Sequence, residues 1–197
     1  MRVLTPTATP IPAPFSTGPL VIGYSVGGRR IEVYRFGTGE SERLIVAGIH
    51  GGNEYNTIAL ANELIGYISE NPDVIPENIT LYILPSLNPD GAARGGGIDA
   101  RFNENGVDLN RNWPFNWQEE WPEYGCWYEL PGSAGAYPAS EPETVSLMMF
   151  ILFHDIEAFV SYHSAALGIF AGGLQDFPPS LDLAETVAAV SDYPYPP

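Results

Sequence analysis

The sequence predicts an α/β sandwich with a central mixed, largely parallel sheet flanked by helices. Three observations predict it. Short β-prone runs alternate with helical stretches along the chain. One run, residues 44–49, is apolar throughout, as a central strand covered on both faces must be. Two histidines, His50 and His163, each follow an apolar run, at the strand ends where open α/β sheets place their sites.

Residues 5–19 are rich in Thr and Pro, a composition that keeps a backbone extended and hydrated and builds no core. Residues 1–19 are therefore expected to be a tail or linker, and residues 20–197 the folded domain. Runs 20–24 and 31–36 flank Gly27 and Gly28 and read as a hairpin or two adjacent strands. In 56–70, Leu60, Ala61, Leu64, Ile65 and Ile68 repeat at helical spacing, and Asn71-Pro72 stops the helix. Residues 79–84 form the next strand and run into a turn cluster at 85–91. Residues 92–139 show little periodicity, and a loop of that length in a compact domain is usually functional. Ser140 and Glu143 have capping-box spacing, with Pro142 in the first turn of a helix running to about residue 153. A strand at 158–162 and a last helix over 181–190 complete the alternation.

Composition limits the function classes. A chain of 197 residues with 45% hydrophobic content suits one domain with a sizeable core. A formal charge of -16 repels a phosphate backbone, which excludes nucleic-acid binding and favours a cationic or neutral substrate. Cys126 is the single cysteine, so no internal disulfide forms. No apolar run is long enough to span a bilayer. The N-terminus shows no signal-peptide pattern. The Thr/Pro segment is of the kind that tethers exported domains, so a secreted or cell-envelope protein is expected, with an export signal upstream of Met1; the other placement is cytoplasmic. A monomer is expected.

The stretch LIVAGIHGGNE, residues 44–54, carries the first chemistry. His, Glu and a distant His form the ligand set of a catalytic zinc site, with one position left for water. Gly51 and Gly52 let the backbone turn so that Glu54 can face a metal held by His50. Two readings of that pair stand side by side. His50 and Glu54 are metal ligands, or His50 is a polar strand-end residue and Glu54 complements a helix N-terminus. His154 follows a helical run and reads as a helix C-terminal residue. The second constellation is GVDLNRNW, residues 106–113. An arginine fork beside an amide, Arg111 with Asn110, suits a carboxylate. Arg101, ten residues earlier, suits donation to a polarised carbonyl oxygen and then to the oxyanion. For each arginine the other reading is a surface salt bridge in an acidic protein.

These signals occur together as GIHGGNE (48–54), LPSLNPDG (84–91), RFNENGVDLNRNW (101–113), PASEPET (138–144) and SYHS (161–164). In that order the chain resembles the zinc carboxypeptidase family, including its carboxypeptidase A, carboxypeptidase T-like and murein peptide amidase branches. The resemblance implies Zn(2+) held by His50, Glu54 and His163, with Arg101 polarising the scissile carbonyl. It implies that Asn110 and Arg111 grip the substrate's terminal carboxylate. The implied reaction is hydrolysis of the last peptide bond by zinc-activated water, and the implied partner is a peptide or muropeptide with a free C-terminus. Other activities considered are a murein peptide amidase or peptidase, and a non-catalytic module that binds zinc and C-terminal carboxylates.

Two departures from the family pattern matter. The family spacing is His-x-x-Glu, which would place Asn53 in the ligand position. Asn brings no charge to the metal, so Glu54 is expected instead, with the extra glycine absorbed before the helix. The family's general-base glutamate and substrate-binding tyrosine lie beyond the second zinc histidine, in a part that residues 164–197 do not match. The expectation is that residues 20–197 are the N-terminal portion of such a catalytic domain, with its C-terminal part missing and the activity of the fragment, which lacks the general-base glutamate, left open. Glu185 in that stretch has no matching context.

Overall fold

The structure, a computed structural model, describes residues 18–122, 131–164, 168–173 and 177–196. Most of the expected tail, residues 1–17, and Cys126 lie outside the described residues. Among the described residues a mixed sheet of five strands runs in the order β1-β2-β4-β3-β5. β1 (Leu20–Tyr24) and β2 (Arg30–Phe36) form an antiparallel hairpin, and β2 pairs antiparallel with β4 (Ile79–Leu84). β3 (Ser41–Val46) lies between β4 and β5 (Ile156–Ser161), parallel to both.

The period-2 alternation of strands divides the core between two faces. Ile31, Val33, Leu44, Val46, Tyr82 and Leu84 pack on one face with Leu147 and Phe150 of α3 (Pro142–Phe153). Phe36, Ala47 and Ile83, with the partly buried Ile45, pack on the other against Ala61 and Ile68 of α1 (Tyr55–Glu70). The sheet is thus covered on both sides where β3 runs through it, which is why that run is apolar throughout.

Five sequence expectations are corrected in detail. β3 starts at Ser41 and ends at Val46, earlier than the apolar run. Residues 47–51 continue as buried irregular backbone, with the Asn88 N–H donating to Gly48 O at 2.8 Å. Leu60 repeats with the α1 stripe but stays exposed, at the stripe's margin. The turn cluster contains a short helix, α2 (Pro89–Arg94), with Pro89 in its first turn and Asn88 Oδ1 accepting from the Gly91 N–H. At α3 the capping box does not form: Glu141 is the N-cap residue, without a side-chain cap bond. Glu143 instead takes the Val26 N–H, 3.0 Å away, across the molecule. α4 (Pro178–Ser191) is longer than the expected helix at both ends.

The β1–β2 hairpin is fastened to the body by a buried carboxylate. Asp90 accepts from Ser25 Oγ at 2.8 Å, from the Gly27 N–H at 2.8 Å and from Arg29 Nη1 at 2.6 Å. Burial pushes its pKa up, but the Gly27 N–H, Arg29 and Ser25 outweigh burial and hold the carboxyl below its usual range. Asp90→Asn is expected to cost roughly 2–3 kcal/mol at neutral pH. The carboxyl's contribution is complete above its unfolded pKa, about 4. It is lost as pH falls through the lower native value. Urea unfolding of wild type and variant should therefore separate near neutrality and converge in acid.

Candidate metal centre

The sheet delivers two histidines to one end. β3 and β5 are parallel neighbours with Val46 opposite Ser161, so the residues after both strands leave the sheet together. His50 and His163 follow, and their ring centroids are 5.0 Å apart. Between them comes Glu54, at the start of α1, set by a 3-10 turn over Gly52–Glu54. That turn needs its glycines. A Cβ on Gly51 would lie 2.4 Å from the carbonyl carbon of Gly91, and Gly52 has φ +58°.

The Glu54 carboxylate sits between the two rings. Its Oε1 is 2.7 Å from His50 Nδ1 and its Oε2 is 3.1 Å from His163 Nδ1. Oε2 also accepts the Ser164 N–H at 3.1 Å, and Oε1 accepts from Arg101 Nη1 at 3.0 Å. Burial pushes the Glu54 pKa up, but the hydrogen bonds from His163 and His50 outweigh it, so the carboxyl is ionised. Burial opposes charge on His50, yet Asp108 and Glu54 raise its pKa above the ordinary imidazole value. One donor atom from each of His50, Glu54 and His163 lies within 4.8 Å of the others. Tetrahedral zinc with bonds of roughly 2.0–2.2 Å sets its ligand atoms about 3.3–3.5 Å apart. Two imidazoles with one carboxylate are a donor set zinc takes, and their donor atoms already lie together at this point, so the residues fit the ion.

Asp108 is the residue that the sequence reading missed. It is fully buried, 2.9 Å from His50 Nε2 through Oδ1, and accepts from Arg101 Nε at 3.0 Å through Oδ2. Such a partner fixes the ring of a metal-binding histidine and the tautomer it uses. Its signal was present: a carboxylate between Val107 and Leu109, both apolar and both buried. Ser161, whose Oγ is 3.2 Å from His163 Nε2, carried no such signal.

The other expected residues divide. Arg101 is buried and held by both carboxylates. Asn110 is exposed, with its N–H donating to Asp108 Oδ1 at 2.9 Å, which places it beside the cluster. The Arg111 N–H donates to Asp108 O, also at 2.9 Å. Among the described residues the Arg111 side chain makes no hydrogen bond to the cluster; it lies over the Trp121 ring. His154 is the C-cap residue of α3, with Nδ1 3.0 Å from Glu42 Oε2 and the ring stacked near Phe150 and Tyr82, apart from the metal group.

With this geometry in place, comparison with known proteins is informative. The zinc carboxypeptidase family model matches residues 13–185. Carboxypeptidase B of Astacus astacus is 26% identical over 162 residues, 73% of this chain and 52% of its own length. Murein peptide amidase A of Escherichia coli strain K12 is 34% identical over 128 residues, 61% of this chain and 48% of its own length. Among solved structures, carboxypeptidase A from Helicoverpa armigera matches with a TM-score of 0.69 and 25% identity, covering 90% of this chain and 49% of that one. The chain spans about half the length of the curated relatives it matches.

Removing Asp108 leaves Arg101 and His50 without their shared acceptor in the interior. Asp108→Ala is expected to destabilise the fold by about 3–5 kcal/mol, the range for breaking a buried ion pair on one side. Chemical denaturation at neutral pH measures it, with the exposed change Asn110→Ala as the near-neutral control.

Proposed function

This chain belongs to the zinc carboxypeptidase family, and on that premise we propose that it acts on the C-terminal end of peptides as a zinc-dependent hydrolase. The observation that carries the reading is the Glu54 carboxylate held between His50 Nδ1 and His163 Nδ1. We assign these three residues as the zinc ligands. A bound zinc ion supplies Lewis-acid polarisation of a carbonyl and lowers the pKa of water.

The remaining roles belong to side chains of the chain itself. Arg101 is tethered through Nε and Nη1, so its Nη2 is the donor left for a carbonyl oxygen that gains charge. Asp108 orients His50 and Arg101 together, which links the metal position to the oxyanion donor. Asn110 and Arg111 form the clamp for a terminal carboxylate, an amide and a planar fork in adjacent positions. The net charge of -16 disfavours a polyanionic substrate and favours neutral or cationic peptides.

A second reading narrows the substrate to muropeptides, with hydrolysis next to D-amino acids or diaminopimelate. Its support is the similarity to murein peptide amidase A, 34% identical over 128 residues. A panel of ordinary L-peptides against muropeptides separates the two. Binding of C-terminal peptides without turnover of either class would leave the non-catalytic binding module.

Zinc content by elemental analysis tests the ligand assignment. Alanine at His50, Glu54 or His163 is expected to abolish stoichiometric zinc, while Asn53→Ala retains it. The reverse result for Asn53 and Glu54 sinks the assignment. For the clamp, Arg111→Ala is expected to weaken a peptide acid by roughly 10-fold or more and to spare the matching peptide amide.

A further inference from the structure

We propose that Trp121 is a positioning residue for the carboxylate clamp; the proposal rests on the assignment of Arg111 to that clamp. The chain has 24 acidic residues and only 8 basic ones, so an arginine readily finds a carboxylate. Arg29, Arg30, Arg43, Arg94 and Arg101 do, while the exposed Arg35 forms no ion pair among the described residues. Arg111 forms no ion pair among the described residues. Its guanidinium carbon instead lies 4.7 Å from the centroid of the Trp121 ring, and Nη1 donates to Asn110 O at 3.1 Å.

The difference in partner matters chemically. A carboxylate would neutralise the guanidinium and occupy the fork that an incoming carboxylate needs. An indole face attracts the cation through its quadrupole while leaving the in-plane N–H donors available. Trp121 therefore holds the group without competing with the ligand.

Both ends of Arg111 are fixed in this arrangement. Its backbone N–H is tied to Asp108, the residue that also meets His50. Its tip rests on Trp121. That ring is partly buried, and its covered Nε1 has no acceptor among the described residues, so packing sets its orientation. Trp117, four residues earlier, is fastened by its Nε1 donating to Ala134 O at 3.0 Å. A long side chain with many rotamers is thereby restrained before the ligand arrives, and the ordering cost of binding falls.

The test uses the zinc-loaded full chain and two probes: an N-acetylated dipeptide with a free C-terminus and its C-terminal amide. Calorimetry is expected to show that Trp121→Leu weakens the acid about 3–20-fold and leaves the amide unchanged. Trp121→Phe keeps an aromatic face and should stay within about 3-fold of wild type. The acid should also change the wild-type indole emission, and that change should vanish in Trp121→Phe. This emission readout decides the matter if Trp121→Leu does not fold. Acid binding unchanged in Trp121→Leu, equal loss of acid and amide, or an emission change that survives in Trp121→Phe overturns the proposal. Arg111→Ala separates the two claims. If it retains the preference for the acid, the clamp assignment fails and this proposal with it. If it loses that preference while Trp121→Leu keeps it, only the role of Trp121 fails.

Discussion

The site depends on two carboxylates held deep in the protein by a shared arginine. Glu54 and Asp108 are both buried, and Arg101 bonds to each. Isolated charges are costly in such a place, so each must be paired and hydrogen-bonded. Here the pairing also builds the site. Glu54 starts α1, His50 follows β3, His163 follows β5 and Asp108 lies in the long loop. Joining their side chains brings four segments to one point, and the histidine rings acquire fixed orientations as a result.

A second polar network holds that loop from behind. Asn103 Nδ2 donates to Glu141 Oε2 at 2.7 Å and to Glu143 Oε2 at 3.2 Å, and its Oδ1 accepts the Val107 N–H at 3.0 Å. Asn112 Nδ2 donates to Ala134 O at 2.8 Å, while its Oδ1 accepts the Glu141 N–H at 3.1 Å. Burial pushes the Glu143 pKa up against the pull of the Val26 N–H and Asn103, which marks this as a tight, partly desolvated cluster. Loop backbone from 103 to 112 is thus anchored on α3 at both ends, with Asp108 and Asn110 between the anchors. Satisfied networks of this kind rigidify a segment that has no regular secondary structure to do so.

The parts of the molecule that were legible in sequence are those governed by local periodicity. The apolar run before His50, the α1 stripe and the end of α3 at Phe153 all follow from spacing, because packing on the sheet imposes it. That His50 and His163 come together was legible for a related reason: parallel strands put the residues that follow them at one end of the sheet. What stayed hidden depends on contacts distant in sequence. Asp108 meets His50 across 58 positions, and the Val26 N–H claims Glu143 across 117. The second contact accompanies the failed capping box: the carboxylate takes a buried N–H from another segment, while the Ser140 N–H goes to Tyr137 O. α2 was hidden because Pro89 and Gly91 read as turn residues, although Pro is favoured at the first helical position and Asn88 caps it.

The two arginines of the long loop show how partners distinguish roles that sequence leaves equal. In an acidic chain a surface salt bridge was an open reading for both. Arg101 is not at the surface, and its pairs are with the two carboxylates of the site. Two of its nitrogens are committed, so its position is fixed and its capacity for a new ligand is narrow, as suits one developing oxyanion. Arg111 has the opposite arrangement: its guanidinium lies over an indole, and only Nη1 is engaged, by the neighbouring Asn110 carbonyl, among the described residues. A planar fork in that state suits a full carboxylate, which needs two parallel donors. The acidity of the chain sharpens the contrast. An indole face can hold one guanidinium beside so many carboxylates without being anionic itself.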